Sequence, residues 1–196
     1  MTVAHSRGKG DQRRERILAA AAQQIADRGY HAASMADIGD SAGVVGPAIY
    51  RHFDSKASLL TALFEQVIDS LLRRASLIVE KSKSETEALT ALVADHVALV
   101  LDQRELAIVY YRELHNLTAQ HRSRLRRKQR LYLEEWVHVL SELRPELDEI
   151  GLRVVVHGAI GAIQSTLQYG ETGMATERTT ALLTQMGHAV LGVDPL

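Results

Sequence analysis

Apolar positions recur along this chain at helical spacing rather than in the alternation of strands. Between Gln12 and Arg28, Ile17, Ala21 and Ile25 fall four apart with Leu18 and Ala22 beside them. That spacing keeps one face of a helix apolar. Gly29 follows where a helix needs a residue tolerant of positive φ, and predicts the stop. Ser34 stands three residues before Asp37, a capping-box form with the shorter acid, and predicts a short helix from Met35 to about Ala42. Ile38 faces inward there, and Gly43 ends it at positive φ. Asp54 or Ser55 caps a long helix whose stripe is Leu59, Leu60, Leu63, Phe64, Val67, Ile68, Leu71 and Leu72. After the polar break around 80–87, helical patterns run near 85–101, 103–116, 119–144, 146–171 and 175–192. Pro145 and Gly173 stand at boundaries. The prediction is an all-α chain of about nine helices.

The stretch "GVVGPAIYRHF", residues 43–53, holds a glycine and a proline in its middle. Proline at the first position of a helix costs nothing, because its missing N–H has no intrahelical partner there. Gly46 as N-cap and Pro47 as first helical residue therefore predict a second short helix after a tight turn, a helix-turn-helix. Ile49 and Phe53 share the inward side, whereas Pro47 and Arg51 point away, flanked by Ala48, Tyr50 and His52. Tyr50 and His52 can donate to phosphate, Arg51 can reach phosphate or a guanine edge, and Lys56 adds a cation.

Charge narrows the partners. Against 23 Lys and Arg stand 24 Asp and Glu, so a uniformly basic coat for nucleic acid is excluded and DNA binding must come from a local surface. One such surface is the polar arm 1–10 and its continuation, with Arg7, Lys9, Arg13, Arg14 and Arg16 against Asp11 and Glu15. The chain lacks cysteine, which fits a reducing compartment. No apolar leader opens it, and the run "LRVVVHGAIGAIQSTL" is expected to fall short of a membrane span. A cytoplasmic protein without membrane contact is the expectation.

Residues 13–60, "RRERILAAAAQQIADRGYHAASMADIGDSAGVVGPAIYRHFDSKASLL", resemble the DNA-binding domain of the TetR family of regulators. The shared features are a first helix ending in Arg-Gly-Tyr and a hydroxyl residue opening the second helix. Asp-Ile before Ala-Gly follows, then aliphatic-Tyr-X-His-Phe-X-X-Lys leading into a long helix. The resemblance implies that Ser34, Met35, Gly46, Pro47, Ala48, Tyr50, His52 and Lys56 fall at positions used against DNA, to which the residue reading adds Arg51. Val45 and Ala48 depart from the Ser or Thr common in the family, which leaves a helix start poor in base-reading groups. The resemblance further implies residues 11–56 as the DNA-binding domain and 57–196 as an effector-binding and dimerisation domain, with the last two helices pairing across a two-fold axis. A lone helix-turn-helix covers too little DNA to be selective, so a homodimer on two half-sites is also expected physically.

Other candidates rank lower. "HRSRLRRKQR", 121–130, reads as a solvated basic face balanced by Glu134 and Glu135, with a phosphate site of a coenzyme A thioester as the sharper alternative. Tyr110, Tyr111, Trp136 and Tyr169, with Gln164, are candidates for lining an effector pocket, although aromatic residues at helical spacing are more often core. Nine histidines include no His-x-x-x-His pair, so no metal site is expected. No nucleophile–base set or phosphate loop is recognisable, and neither catalysis nor a cofactor is expected. The sequence thus reads as a ligand-responsive regulator, a repressor of a palindromic operator, whose effector it does not identify, with acyl or acyl-CoA as the candidate class. A helical small-molecule-binding protein or enzyme with a vestigial helix-turn-helix is the alternative.

Overall fold

The computed structural model describes residues 9–44, 46–168 and 173–195, and every regular element among them is helical. Eight α-helices follow in order: α1 (Lys9–Arg28), α2 (Met35–Ser41), α3 (Lys56–Lys81), α4 (Glu85–Asp102), α5 (Arg104–Glu113), α6 (Ala119–Leu143), α7 (Glu149–Gln164) and α8 (Thr176–Leu191). Short 3₁₀ segments occupy Gly46–Arg51, Leu114–Asn116 and Ser165–Gln168. The expected ninth helix, the one beginning at Gly46 and Pro47, is thus wound as 3₁₀. Only six residues stand between the turn and the next cap, under two α-turns, and the segment is wound tightly throughout, a longer 3₁₀ run than most.

Side-chain caps place the helix starts. Ser34 accepts from the Asp37 N–H, Ser55 from Ser58, Ser84 from Glu87, Thr118 from His121 and Asp148 from Gly151. Each cap of this kind is worth about 1 kcal/mol. Gly29 and Gly43 take φ of 81° and 66°, as the stop signals required. The expected arm loses its last two residues to α1, which begins at Lys9; residues 1–8, Arg7 among them, lie outside the described residues.

Ile17, Leu18, Ile25, Ile38, Ile49 and Phe53 close a small core that passes without a break into the larger one around Phe64, Leu89, Trp136 and Ile163. Helix α3 belongs to both. Its first turns pack beneath α1 and its length runs beside α6. Two ion pairs fasten that seam, Arg124 to Glu65 at 3.2 Å and Lys128 to Asp69 at 2.6 Å, and Ser76 donates to Glu135 at 2.6 Å. The basic run 121–130 is therefore balanced by acids of α3 rather than by Glu134 and Glu135 of its own helix; Glu134 instead holds Arg153 of α7.

Helix α7 with its 3₁₀ extension, Glu149–Gln168, is 20 residues long and contains an 18-residue window of mean hydropathy 1.3, enough by length and composition alone to cross a membrane. This corrects the expectation that the run is too short. The helix starts three residues before Leu152, and its apolar character comes from two faces. Leu152, Val156, Ala159 and Ile163 are buried against the body, whereas Ile150 and Val154 are exposed.

Candidate nucleic-acid interface and interior site

The helix-turn-helix is held by close approach. At Gly39 of α2, a Cβ would stand 3.0 Å from the Val44 carbonyl oxygen and 3.7 Å from Ile49 Cβ. A side chain at this position would make the turn give by a few tenths of an ångström, so glycine is what lets it fold onto the helix this tightly. Sequence spacing did not single out this role of Gly39. Ile49 and Phe53 are buried beneath the 3₁₀ segment, and the Arg14 guanidinium lies 5.1 Å over the Phe53 ring. Arg14, expected on the basic arm surface, thus packs on the helix-turn-helix.

The outward face follows from that anchoring. Pro47, Tyr50 and Arg51 are exposed, Ala48 and His52 half-buried. Tyr50 is 54% exposed, high for an aromatic residue and placing its ring in solvent beside the arginine. Gly46 opens the segment, and Val45 lies outside the described residues. Ser34 is exposed, but its hydroxyl is engaged in the α2 cap and donates to Asp37 Oδ2 at 2.7 Å. Met35 turns its side chain into the core at 8% exposure. Lys56 departs furthest from a phosphate-facing role. Its ammonium donates to the carbonyls of Tyr30, His31 and Ala33 at 2.6, 3.2 and 2.8 Å and lies 4.6 Å over the Tyr30 ring. Three donors on three carbonyls exhaust a lysine.

Inside the body, helices far apart in sequence assemble a polar cluster. Gln164 Nε2 lies 3.2 Å from His96 Nε2, and His96 Nδ1 lies 3.0 Å from the Tyr132 hydroxyl. An amide nitrogen only donates, so His96 accepts at Nε2 and carries its proton at Nδ1. Burial first, and the charge of Arg74 second, lower the His96 pKa to about 4, and the ring is neutral. Trp136 meets His96 and Tyr132 edge-on, with centroids 6.2 and 6.1 Å apart. The indole is fully buried; its Nε1–H makes no hydrogen bond of good geometry, although it lies close enough to the Tyr132 hydroxyl to act on it. Of the five residues named for a pocket, Trp136 and Gln164 meet in this cluster. Tyr110 lies against Phe64, centroids 5.1 Å apart. Tyr111 is outside it, half-exposed with its hydroxyl accepting from Gln168 at 3.1 Å. Tyr169 lies outside the described residues. His96 and Tyr132, which complete the cluster, carried no sequence signal of their own.

No group of three or more His, Cys, Asp or Glu suited to a metal ion occurs among the described residues.

An exposed reading segment on a compact three-element head, joined through a shared long helix to an all-helical body, defines a helix-turn-helix transcription regulator. Residues 17–63 match the family described as bacterial regulatory proteins, tetR family, and residues 82–169 match the tetracyclin repressor-like C-terminal domain. The chain is 30% identical over 149 residues to the HTH-type transcriptional repressor KstR2 of Mycolicibacterium smegmatis, covering 69% of this chain and 70% of that protein. The protein belongs to the TetR family. A TetR-family regulator from Bordetella parapertussis has the same fold at TM-score 0.80 and 23% identity, over 92% of this chain and 94% of that one. The regulator FadR of Bacillus subtilis, solved in complex with stearoyl-CoA, matches at TM-score 0.68 and 23% identity, over 91% and 95% of the two chains.

Proposed function

We propose that the protein is an effector-released repressor that acts in the cytoplasm and binds a palindromic operator as a homodimer. Residues 11–56 serve as its reading head and 57–196 as its sensing and pairing body. Pro47, Tyr50 and Arg51 present the face that enters the groove, with Gly46, Ala48 and His52 beside them and Ser34 and Met35 shaping its edge. Since Gly46, Pro47 and Ala48 carry almost no hydrogen-bonding side chain, discrimination falls to Arg51, to methyl contacts and to DNA shape.

The single observation that supports an effector of acyl-thioester class is the interior cluster. Trp136 presents a fully buried N–H whose only polar approach, to Tyr132, falls short of a well-formed hydrogen bond, and such a donor is stabilised by a ligand that brings a better-placed acceptor. A thioester carbonyl at the head of an apolar chain has that form. The stearoyl-CoA complex of the B. subtilis regulator supports the same class. The basic run contributes less than its density suggested, because Arg122 is spent on the carbonyls of His115 and Leu117, and Arg124 and Lys128 on α3.

The test begins with selection of an operator by the protein from a random-sequence DNA pool. Arg51→Ala should weaken binding to that operator at least tenfold, the order of one lost base or phosphate contact, without lowering the melting temperature. Palmitoyl-CoA should release the operator where free coenzyme A does not. Trp136→Phe, which keeps the ring and removes the N–H, should weaken that release about tenfold. A protein that selects no sequence, or that responds identically to palmitoyl-CoA and coenzyme A, would overturn the reading.

A further inference from the structure

The turn between α1 and α2, residues 29–33, is gripped from two directions. From the start of α3, the Lys56 ammonium is caged by the carbonyls of Tyr30, His31 and Ala33 and covered by the Tyr30 ring. From the far end of α5, in the body, Glu113 Oε1 accepts the Tyr30 backbone N–H at 3.3 Å. The other oxygen of Glu113 accepts from Asn116 Nδ2 at 2.6 Å, which fixes the carboxylate in place. Asn116 belongs to the short 3₁₀ segment leading into α6, and Arg122 of α6 secures that same connection through the carbonyls of His115 and Leu117 at 2.9 and 2.6 Å. Gly29 takes φ of 81°, a conformation that favours glycine, and so turns the chain towards Glu113.

We infer that Lys56 and Glu113 are positioning residues for DNA binding. Together they clamp the α1–α2 turn, so that the body sets the pose of the helix-turn-helix, and Lys56 acts through this turn rather than by pairing with phosphate. The inference rests on the DNA-binding reading. Its geometry is specific. An ammonium with its donors on three carbonyls, covered by an aromatic face, would have to leave several charge-assisted bonds to reach a phosphate. The turn leads directly to Ser34 and α2, so a displacement at Tyr30 is delivered to the first element of the reading head. Glu113 stands close to the α5–α6 connection, where rearrangement of the body reaches the α1–α2 turn through this hydrogen bond in addition to the packing of α5 on α1.

Salt dependence separates the two roles of Lys56. A lysine paired with phosphate contributes about 0.9 to the slope of log K against log salt, whereas one that positions a turn contributes nothing. The experiment measures binding of the selected operator duplex between low and moderate salt for the wild type, Lys56→Met, Lys56→Arg and Glu113→Ala. Amide hydrogen exchange of residues 29–33 is followed without DNA in the same proteins. The expected result is an affinity loss on the order of tenfold for Lys56→Met and Glu113→Ala, with the wild-type slope kept and exchange faster in the turn. Lys56→Arg keeps the charge but does not fit the cage of three carbonyls, and should not restore affinity. A slope shallower by about one in Lys56→Met, or full affinity in Lys56→Arg, would overturn the inference in favour of a phosphate contact. Unchanged exchange and affinity in Glu113→Ala would overturn the clamp. Because the exchange measurement needs no DNA, a failure of the clamp and a failure of operator recognition give different results, and Glu113→Ala still tests the clamp if Lys56→Met does not fold.

Discussion

His96 shows how a single residue can carry a pH dependence that its sequence context does not announce. The side chain is 1% exposed, and burial, with Arg74 as the lesser cause, holds its pKa at about 4 instead of the usual 6.5. Arg74 is itself tied to Asp95 at 2.6 Å. Between these two pKa values the unfolded chain binds a proton that the folded chain refuses, so stability rises with pH in that window. Above pH 6.5 both states are neutral and the group contributes no slope. As pH falls towards 4, a penalty on the order of a few kcal/mol accumulates. The melting temperature should therefore drop steadily between pH 6.5 and 4.5, and His96→Gln should flatten that part of the curve. Parallel curves for the two proteins would assign the acid sensitivity to another group.

At the scale of elements, the helix-turn-helix depends on a glycine as much as on its reading residues. Ile49 packs over Gly39, and the Val44 N–H bonds the Gly39 carbonyl at 2.8 Å, which brings the two helices nearly into backbone contact. Gly39→Val would drive its branches into that contact, with an overpacking cost of about 1–3 kcal/mol. Chemical denaturation should show this loss. Operator binding should fall further than stability, because the 3₁₀ segment must swing outward to make room. A Gly39→Val protein with wild-type stability and affinity would show that the approach is not limiting. Helix starts such as Ser34 and Ser55 were legible because a cap and the N–H it accepts are three residues apart. Gly39 was not, because its reason for being glycine lies five and ten residues away, across a turn.

For the whole molecule, the decisive feature is an apolar surface that the single chain leaves open. On α7, Ile150 and Val154 are 73% and 66% exposed, and His157, Gly158 and Gly161 continue the same stripe. Leu182, Met186 and Val190 of α8 are each about 40% exposed at intervals of four. The two helices are pressed together; a Cβ on Gly158 would stand 3.2 Å from Val190 Cγ1. A face built from two close, small-residue helices suits its own two-fold copy, since an isologous contact repeats the same patch on both partners. Val154→Glu places a charge at the middle of that face. It should convert a dimer to monomers in sedimentation at micromolar concentration. Operator affinity should fall a hundredfold or more, as the second half-site ceases to be held at high effective concentration. A Val154→Glu protein that sediments as a dimer would place the pairing surface elsewhere.

The sequence by itself determined the order of the helices and most of their ends to within a few residues, the turn at Gly43, the start of the reading segment at Gly46 and Pro47, and the family. These are local matters, since periodicity, caps and positive-φ glycines act within a few residues of themselves. It also placed Pro47 and Arg51 on an outward face flanked by Tyr50, because burial of Ile49 and Phe53 turns that side away from the core. Only the tertiary structure decided where the charges and polar atoms of distant segments end. Lys56 closes on carbonyls 23 to 26 residues earlier in the chain, and Glu113 reaches Tyr30 across 83 residues. His96 and Gln164 meet across 68. The basic run at 121–130 finds its counter-charges on α3. A side chain's partner is chosen by which helices pack together, and that packing depends on burial summed over the whole core rather than on any local pattern.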